Sequence, residues 1–505
     1  MIIDVLVNDG QDNAWLSYIL DTFTSISCAN FEFNVCSNEN EFASDIGVVV
    51  SYGVKTAASG RRLLEIPRIN LYDKDALYYV SANALSDDRL YGIKVPVHGR
   101  TVSSRESGKA LIKFEDGTAA AMQINDCNAK MYFDILYNAF LHICCFEEYC
   151  YEEKNHVPTH SLAKKVTADK ANYNIPVINY LYAILEDLIT GIADKSNNEI
   201  LFGDRDSFEI CLSHDVDYIE KTPQLVLKNL AFQTYKALAD LMHLRVNESL
   251  RKLKRGLRFV FSGGSYWQFE YIQQIEESYG FRSTFFIYVK EHSSGKSHPI
   301  RKWLFDPSYD VCRNQKLRNK LRELIEKGWE VGLHGSFDSF NSTDMFSGEV
   351  KKLAETIGMP VISTRQHWLR LSFGNTWKVQ QDSGIRIDST LGFNDVHGFR
   401  AGVASPFYPY DFYSKKRHNI LEIPMVLMDG TLFDHEQLGD EDAMDACISV
   451  LGEVKKFGGC VAINWHQRTA SEDYGWYHVY EGILRWIKMN GGTGIALKDH
   501  RTQRK

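Results

Sequence analysis

Two aspartates at the end of an apolar run are the first residues in the chain whose spacing suggests chemistry. Asp215 and Asp217 follow the run 209–213, EICLS, and residues two apart in a β-strand point to the same side. Two carboxylates on one side repel each other unless a bound cation or a proton neutralises part of their charge. The pair therefore indicates a divalent metal site, and an Asp-rich turn that caps a helix is the alternative.

Three later segments carry groups that bind metals or transfer protons. His334 and Asp338 can face one cation if the loop between them turns helical, and both residue types are normal zinc ligands. Arg365 can hold a carboxylate ionised, and His367 can bind metal or substrate. His466 has an imidazole, whose ordinary pKa near neutrality suits a general acid or base. In each case the alternative is a structural side chain that supports a loop or the backbone.

These groups need a scaffold that brings distant segments together. Eight apolar, strand-like runs alternate with helical runs from residue 209 onward, at 209–213, 283–289, 330–333, 360–364, 385–389, 421–427, 460–464 and 493–497. This alternation predicts a parallel sheet closed into a (β/α) barrel, with an open doubly wound sheet as the alternative. The candidate residues, with Asp388 among them, follow the carboxyl ends of the runs, where such folds place their sites. That placement favours the barrel.

The first 200 residues show no catalytic spacing of acids, His and Cys. Short strand-like runs occupy 1–115, and apolar residues at helical spacing occupy 128–152 and 174–192. We therefore predict a smaller N-terminal α/β and helical domain over 1–200, of unknown role, and a distorted barrel domain over 205–505.

The composition indicates which kinds of partner and which cellular compartment to expect. The chain has 505 residues and a net charge of −8, which argues against nucleic acid as the main partner. The ten cysteines include no CxxC pair, which favours free thiols in a reducing compartment over disulfides. Neither a secretory leader nor an apolar run of transmembrane length is visible in the sequence, so the expected location is cytoplasmic.

Motifs of other enzyme classes are missing from the sequence. There is no GxxxxGK[ST] loop, GxGxxG loop, GxSxG elbow or HExxH helix. Covalent catalysis by Ser or Cys therefore has little support in the sequence.

Taken together, the motifs resemble those of the polysaccharide deacetylases of carbohydrate esterase family four, the NodB-homology group, over about 205–500. The run Ser213–Asp217 is similar to the first motif, which implies that Asp215 is the base and Asp217 a metal ligand. His334–Asp338 is similar to the second motif, His-[Ser/Thr]-x-x-His, which supplies two metal ligands. Arg365 begins a run similar to the third motif, Arg-x-Pro-Tyr, whose Arg pairs with the base.

The later motifs follow in the same order, with two departures. Asp388 falls where the fourth motif has an Asp, near Arg365, and His466 falls on the His of the last motif, the general acid. However, Asp338 replaces the second His of the second motif, and His367 replaces the Pro of the third. The third metal ligand is therefore Asp338 or His367. His367 is favoured, because a neutral imidazole does not add a third negative charge beside the base.

The resemblance implies metal-dependent hydrolysis, most simply with Zn²⁺, of an N-acetyl amide on a sugar in bacterial surface polysaccharide biosynthesis. The sugar could be free, nucleotide-linked or lipid-linked. Two alternatives stay open: hydrolysis of another C–N bond outside peptides, and a glycan-binding pseudoenzyme. Arg400, in the long segment 388–411, could contact the sugar or hold its own loop, and Trp368 could stack on a sugar ring or belong to the core.

A basic helical stretch lies between the first two predicted strands. It spans about 223–258 and contains Arg245, the run 251–255 (RKLKR) and Arg258. A basic amphipathic helix can lie on an anionic membrane surface, so peripheral membrane contact through 245–258 is one interpretation. A solvated helix face beside the barrel is the alternative and the more common case.

Overall fold

The computed structural model of the chain describes residues 1–8, 13–27, 31–43, 47–54, 56, 61–68, 96–97, 100–106, 109–113, 120–125, 128–131, 134–158, 161–163, 173–193, 207–242, 246–261, 263–290 and 299–500. The elements of its first part are β1 Ile2–Leu6, α1 Ala14–Ile26, β2 Glu32–Cys36, β3 Val48–Tyr52, β4 Arg62–Ile66, β5 Pro96–Val97, β6 Arg100–Glu106, β7 Lys109–Lys113, β8 Ala120–Asn125, β9 Asn128–Met131, α2 Ile135–Ile143, α3 Phe146–Asn155 and α4 Val177–Ala193.

These first strands form one mixed sheet, in the order β2-β1-β3-β4-β9-β8-β7-β6-β5. The pairs from β2 to β9 are parallel, and the remaining pairs are antiparallel. β3 is buried along its whole length, as expected for a strand covered on both faces. The helical prediction for 128–152 is wrong at its start, because residues 128–131 pair with β4 and β8 as β9.

The second part contains the elements that carry the candidate residues. They are β10 Glu209–Val216, α5 Pro223–Met242, α6 Val246–Phe261, α7 Phe269–Ser278, β11 Thr284–Tyr288, α8 Pro299–Phe305, α9 Gln315–Glu326, β12 Glu330–Gly335, α10 Thr343–Ile357, β13 Ser363–Gln366, α11 Thr376–Asp382, β14 Ile387–Asp388, β15 Tyr410–Asp411, β16 Lys416–Arg417, β17 Leu421–Glu422, β18 Met425–Met428, α12 Asp440–Lys456, β19 Cys460–Asn464, α13 Tyr477–Met489 and β20 Thr493–Ile495.

The second sheet is parallel throughout and follows the order β17-β14-β13-β12-β11-β10-β19-β18, with β20 beside β10. Amphipathic helices cover its outside. In α9, for example, Leu317, Leu321 and Leu324 are buried at helical spacing, and the Asn314 side chain accepts a hydrogen bond from the Leu317 backbone N–H at the start of the helix. The predicted alternation of strands and helices is confirmed.

The run 421–428 joins the two ends of this sheet. β17 pairs with β14, whereas β18 pairs with β19. Pro424 lies between the two short strands and has no backbone N–H to give to a ladder, so the chain changes its partner there. The sequence predicted one strand over 421–427, and the structure instead gives two. The predicted barrel is therefore confirmed in a distorted form.

Helix α4, from the first 200 residues, contacts both the long segment after β14 and helix α12. The Asn179 side chain on α4 accepts a hydrogen bond from the Ala404 backbone N–H at 2.8 Å, and Tyr180 Oη donates to Glu453 Oε2 at 2.6 Å. The proposed boundary between 1–200 and 205–505 stays a prediction. None of the helices in the described ranges is long and apolar enough to cross a membrane.

Candidate metal and catalytic centre

The carboxyl ends of four barrel strands bring the candidate residues together. Asp215 lies near the end of β10, and Asp217 follows that strand directly. His334 on β12 lies beside Arg365 on the neighbouring β13, and His466 follows β19. Parallel pairing places these strand ends at one end of the barrel, so residues distant in sequence meet there.

Asp217, His334 and His367 form the group that fits a metal ion. Their ligand atoms all lie within 4.8 Å of one another. Asp217 Oδ1 lies 3.4 Å from His334 Nε2 and 3.5 Å from His367 Nε2. Ligands of a tetrahedral zinc ion, with bonds of about 2.0–2.2 Å, lie about 3.4 Å apart. Asp217 Oδ1 is also buried without a well-formed hydrogen bond, and a cation among the three side chains would satisfy it.

The other ring nitrogens of the two histidines face acceptors. His334 Nδ1 lies 2.9 Å from the carbonyl oxygen of Arg365, and His367 Nδ1 lies 3.5 Å from Asp306 Oδ1. The hydrogen bond at His334 Nδ1 fixes the tautomer that leaves its Nε2 lone pair available to a metal. His367 Nδ1 lies beside the Asp306 carboxylate without forming a hydrogen bond to it. Trp368, directly after His367, has a φ of 61°, a left-handed conformation that non-glycine residues rarely adopt. The chain therefore turns sharply where His367 enters the site.

Asp215 is held as an ionised carboxylate. Its Oδ1 accepts a hydrogen bond from Arg365 Nη1 at 3.0 Å, and its Oδ2 accepts one from Asn464 Nδ2 at 2.8 Å. Burial alone would raise the pKa of Asp215, but the charges of Arg365 and His334 outweigh it and the pKa is lowered. A carboxylate in this state can accept a proton from water.

His466 is held by a second carboxylate. Its Nδ1 lies 2.6 Å from Asp429 Oδ1, and its backbone N–H donates to Asp429 Oδ2 at 2.9 Å. The His466 Nε2 atom lies 3.5 Å from Asp217 Oδ2. Burial favours the neutral imidazole, but the Asp429 carboxylate outweighs it, and the pKa of His466 is raised. His466 is therefore suited to deliver a proton near neutral pH.

No protein-family model and no curated protein sequence matches the chain. Solved structures similar to it include polysaccharide deacetylases from Mycobacterium smegmatis and Pseudomonas aeruginosa PAO1. Each is 13% identical with a TM-score of 0.36, over 59% of this chain and 89% and 90% of those chains. The chain is similar to polysaccharide deacetylases. A CE4 family pseudoenzyme from Bacillus anthracis is 9% identical over 58% of this chain and 65% of its own, with a TM-score of 0.28.

Asp338, at the position of the polysaccharide deacetylase motif's second His, lies outside the metal-binding group. Its carboxylate Oδ1 lies 3.3 Å from Arg370 Nη1, and the Arg370 guanidinium lies over the Phe337 and Phe340 rings at 4.0 Å from each centroid. Asp338 thus forms an ion pair in the loop after β12, and its role as a metal ligand stays a prediction.

Asp388, at the position of the polysaccharide deacetylases' fourth-motif Asp, does not pair with Arg365. Burial raises the pKa of Asp388 and of the neighbouring Glu422. The charge of Asp388 and its hydrogen bond with Glu422 raise the pKa of Glu422 further. Ser389 takes the position beside the guanidinium instead: its carbonyl oxygen accepts from Arg365 Nε at 2.9 Å and its Oγ accepts from Nη2 at 3.0 Å. Asp388 therefore supports the site from the next layer.

Arg400 is buried, which favours a structural role, and the sugar contact stays a prediction. Its Nε and Nη2 atoms donate to the Glu148 carboxylate at 2.9 and 2.6 Å, and Nη1 donates to Ser161 Oγ at 2.6 Å and to the Gly392 carbonyl at 2.8 Å. These partners take the donors that a sugar would need. These hydrogen bonds favour the other expected role, in which Arg400 holds its own loop.

Trp368 lies at the rim of the site. Its side chain is half exposed, and its Nε1–H donates to the Phe305 carbonyl at 3.2 Å. The position leaves part of the indole open to solvent beside His367.

Sequence reasoning missed four polar residues that hold the site, namely Asp306, Asp429, Asn464 and Arg468. The Arg468 Nη1 atom donates to Asp217 Oδ2, which leaves Oδ1 for a cation. Asn464 and Arg468 flank His466, so their positions in the sequence were a usable signal. Asp306 and Asp429 lie far from the motifs in the sequence, so their positions gave no signal of a role at the site.

Proposed function

We propose that this chain is a metal-dependent hydrolase that removes the acetyl group from an N-acetylated sugar. One observation carries the proposal: an Asp–His–His group with metal-ligand spacing lies between Asp215, whose pKa is lowered, and His466, whose pKa is raised. A hydrolase needs a base and an acid in those opposite protonation states.

The division of roles follows from these contacts. Asp217, His334 and His367 would hold a divalent metal, most simply Zn²⁺. When bound, the metal supplies a Lewis acid for the amide carbonyl and lowers the pKa of water. The Asp215 carboxylate accepts the proton of the attacking water, and Arg365 keeps that carboxylate oriented.

His466 completes the reaction as the acid. An amine anion is a poor leaving group, so the amide nitrogen needs a proton as its bond to the acyl carbon breaks. The imidazolium of His466 delivers that proton from Nε2, while Asp429 holds Nδ1. The products are acetate and the free amino sugar.

Acetate release is the direct test. Purified protein loaded with Zn²⁺ is offered N-acetylated sugars in free, nucleotide-linked and lipid-linked form, beside the Asp215→Asn and His466→Ala variants. We expect acetate from at least one substrate and a loss of roughly 10²–10⁴-fold in each variant. Equal rates in the parent and both variants would contradict the assignment. Ammonia or another amine product without acetate would favour hydrolysis of a different C–N bond.

The pseudoenzyme alternative needs a separate measurement. Isothermal titration would detect sugar binding without turnover, and metal analysis would show whether the Asp–His–His group is loaded. The contacts of Asp215 and His466 support an enzyme, because a binding protein has no need for a buried ionised base beside a raised-pKa histidine.

We propose further that α5 and α6 rest on an anionic membrane surface, which suits a lipid-linked sugar of a bacterial surface polysaccharide. The outer face of α6 is apolar: its exposed large side chains are Val246, Leu250, Leu253, Leu257 and Phe261. They recur every three or four residues and so form one stripe. On α5, Leu227, Tyr235, Leu238 and Met242 are exposed as well.

The face that α6 turns toward α5 contains small residues and one buried aromatic side chain. Ser249 is buried, and a Cβ added at Gly256 would lie 3.2 Å from Gln233 Cβ on α5. Phe259 is buried as well, in an apolar cluster with Leu225 of α5. The leucines of α6 nevertheless point outward, whereas an ordinary surface helix buries them.

Charge favours a membrane over a second copy of the chain. Residues 223–261 contain eight Lys and Arg residues and two acidic ones, whereas the whole chain has a net charge of −8. Two such hairpins would repel each other, and an anionic bilayer would attract one by about 1 kcal/mol per basic residue near its surface. Cytoplasmic location is part of this proposal. The eight cysteines described are free, which supports a reducing compartment.

Vesicle sedimentation tests this part. The whole protein is mixed with phosphatidylcholine vesicles with or without phosphatidylglycerol, beside Leu253→Gln/Leu257→Gln on α6 and Met489→Gln, which removes an exposed apolar side chain from α13. We expect binding to the anionic vesicles that falls at least tenfold in the α6 variant and is unchanged in the α13 variant. A dimer in solution that the α6 variant dissociates, with no vesicle binding, would show that a second copy covers the face.

A further inference from the structure

A second group of metal-ligand side chains lies at the opposite end of the barrel from Asp217. Glu209, Cys460 and His500 offer ligand atoms that all lie within 4.8 Å of one another. Cys211 Sγ lies 3.6 Å from Cys460 Sγ. Glu209 begins β10, whereas Asp217 follows its end. At the usual rise of about 3.3 Å per strand residue, the backbones of these two residues are about 26 Å apart.

The parallel sheet positions these four residues. Glu209 pairs with Cys460 across β10 and β19, and Cys211, two residues after Glu209, points to the same side of β10. Both cysteines belong to the apolar cluster that includes Phe286 and Leu421. His500 ends the last described segment, and its Nδ1 lies 2.8 Å from Glu209 Oε2.

The ligand types favour zinc among the divalent cations. Two thiolates, an imidazole and a carboxylate are all zinc ligands, whereas magnesium and calcium prefer sites made of oxygen alone. Two sulfur ligands on one tetrahedral zinc ion, with Zn–S bonds of about 2.3 Å, lie about 3.8 Å apart. The observed separation of 3.6 Å between Cys211 Sγ and Cys460 Sγ is close to that value.

We propose that Glu209, Cys211, Cys460 and His500 bind a zinc ion with a structural role. Glu209, Cys460 and His500 form the group with metal-ligand spacing. Cys211, whose Sγ lies 3.6 Å from Cys460 Sγ, would be the fourth ligand that closes the coordination sphere, as in structural sites. The ion would tie the segment after β20 to the first and last long strands of the barrel. Residues at the amino-terminal ends of barrel strands serve stability more than catalysis. The proposal does not depend on the function of the Asp217 centre.

Cobalt substitution tests the site directly, because Co²⁺ occupies zinc sites and thiolate ligands add a charge-transfer absorption in the near ultraviolet. The Asp217 group contains no sulfur and cannot produce that absorption. We expect the absorption in the whole protein reconstituted with Co²⁺ and kept under reducing conditions. It should persist in Asp217→Asn and in Cys312→Ser, the matched loss of a thiol outside the cluster.

The same absorption should fall by at least half in Cys211→Ser and in Cys460→Ser. It should disappear in the double variant Cys211→Ser/Cys460→Ser, whose zinc content should fall by about one ion per chain. His500→Gln changes a ligand near the end of the chain without altering either buried strand, so it keeps the test valid if a cysteine variant fails to fold. In His500→Gln we expect weaker zinc retention against a chelator.

Three results would overturn the proposal. The first is a parent protein without the thiolate absorption. The second is an absorption that survives in the double variant Cys211→Ser/Cys460→Ser. The third is a metal-free parent protein lighter by the mass of two hydrogen atoms, since a disulfide between Cys211 and Cys460 would then occupy the site.

Discussion

Arg365 Nη1 lies 3.0 Å from Asp215 Oδ1, and both side chains are buried. The residues are 150 positions apart in the sequence. The pair fixes the protonation state of the carboxylate, because the guanidinium charge opposes the effect of burial on the pKa of Asp215. It also makes the site sensitive to loss of either partner.

Replacement of Asp215 by Asn should abolish turnover while metal binding remains. The amide keeps the shape of the side chain but cannot accept the proton of water, so we expect a loss of about 10²–10⁴-fold in kcat/KM. The variant also leaves Arg365 buried without its counter-charge, which costs on the order of 3–5 kcal/mol of unfolding free energy. Acetate release, metal analysis and urea unfolding measure the three effects. Asp382→Asn, at a surface pair with Lys378, is the matched control and should change none of them.

Replacement of Asp429 by Asn should shift the alkaline side of the pH profile. Asp429 raises the pKa of His466, and the reaction needs His466 protonated, so activity is lost as pH rises through that pKa. Without the carboxylate the pKa falls, and the alkaline limb of kcat should move to lower pH. The acid limb, set by Asp215, should stay in place. A profile whose alkaline limb does not move would remove His466 from the role of acid.

Measurements of metal affinity distinguish His367 from Asp338 as the third metal ligand. His367→Ala should weaken binding of Zn²⁺ at the Asp217 centre by at least 10²-fold, because His367 Nε2 lies 3.5 Å from Asp217 Oδ1. Asp338→Asn should leave it nearly unchanged, since Asp338 pairs with Arg370 instead. Competition with a chromogenic chelator measures both affinities. The reverse order of effects would make Asp338 the ligand.

Arg400 should prove to be a structural residue. Its guanidinium and the Glu148 carboxylate are both buried and joined by two hydrogen bonds. We expect Arg400→Met to lower the unfolding free energy by about 3–5 kcal/mol, because the buried Glu148 carboxylate then loses the guanidinium charge and its two hydrogen bonds. The added change Glu148→Gln should restore part of the loss. KM of the folded fraction should stay near the parent value, and a large rise in KM at unchanged stability would instead support a sugar contact.

The sequence indicated the barrel and most of the chemically active residues. Apolar runs of strand length alternating with helices were enough for the parallel sheet, and the order of Asp215, His334, Arg365 and His466 was enough to locate one end of it. Boundaries were less accurate: β13 spans Ser363–Gln366 against a predicted 360–364. The error arises because hydrogen bonding to neighbouring strands, and not apolarity alone, sets where a strand begins and ends.

What the sequence determined by itself is the set of residue types and their order along the strands, since local periodicity needs no knowledge of distant segments. Only the tertiary structure decided the partners. The sequence favoured His367 over Asp338 only through its charge, and the turn at Trp368 brings His367, not Asp338, to Asp217. Arg400 was equally free to bind a sugar or a loop until α3 placed Glu148 against it. Such choices depend on side-chain direction after the barrel closes, and no spacing in the sequence contains that information.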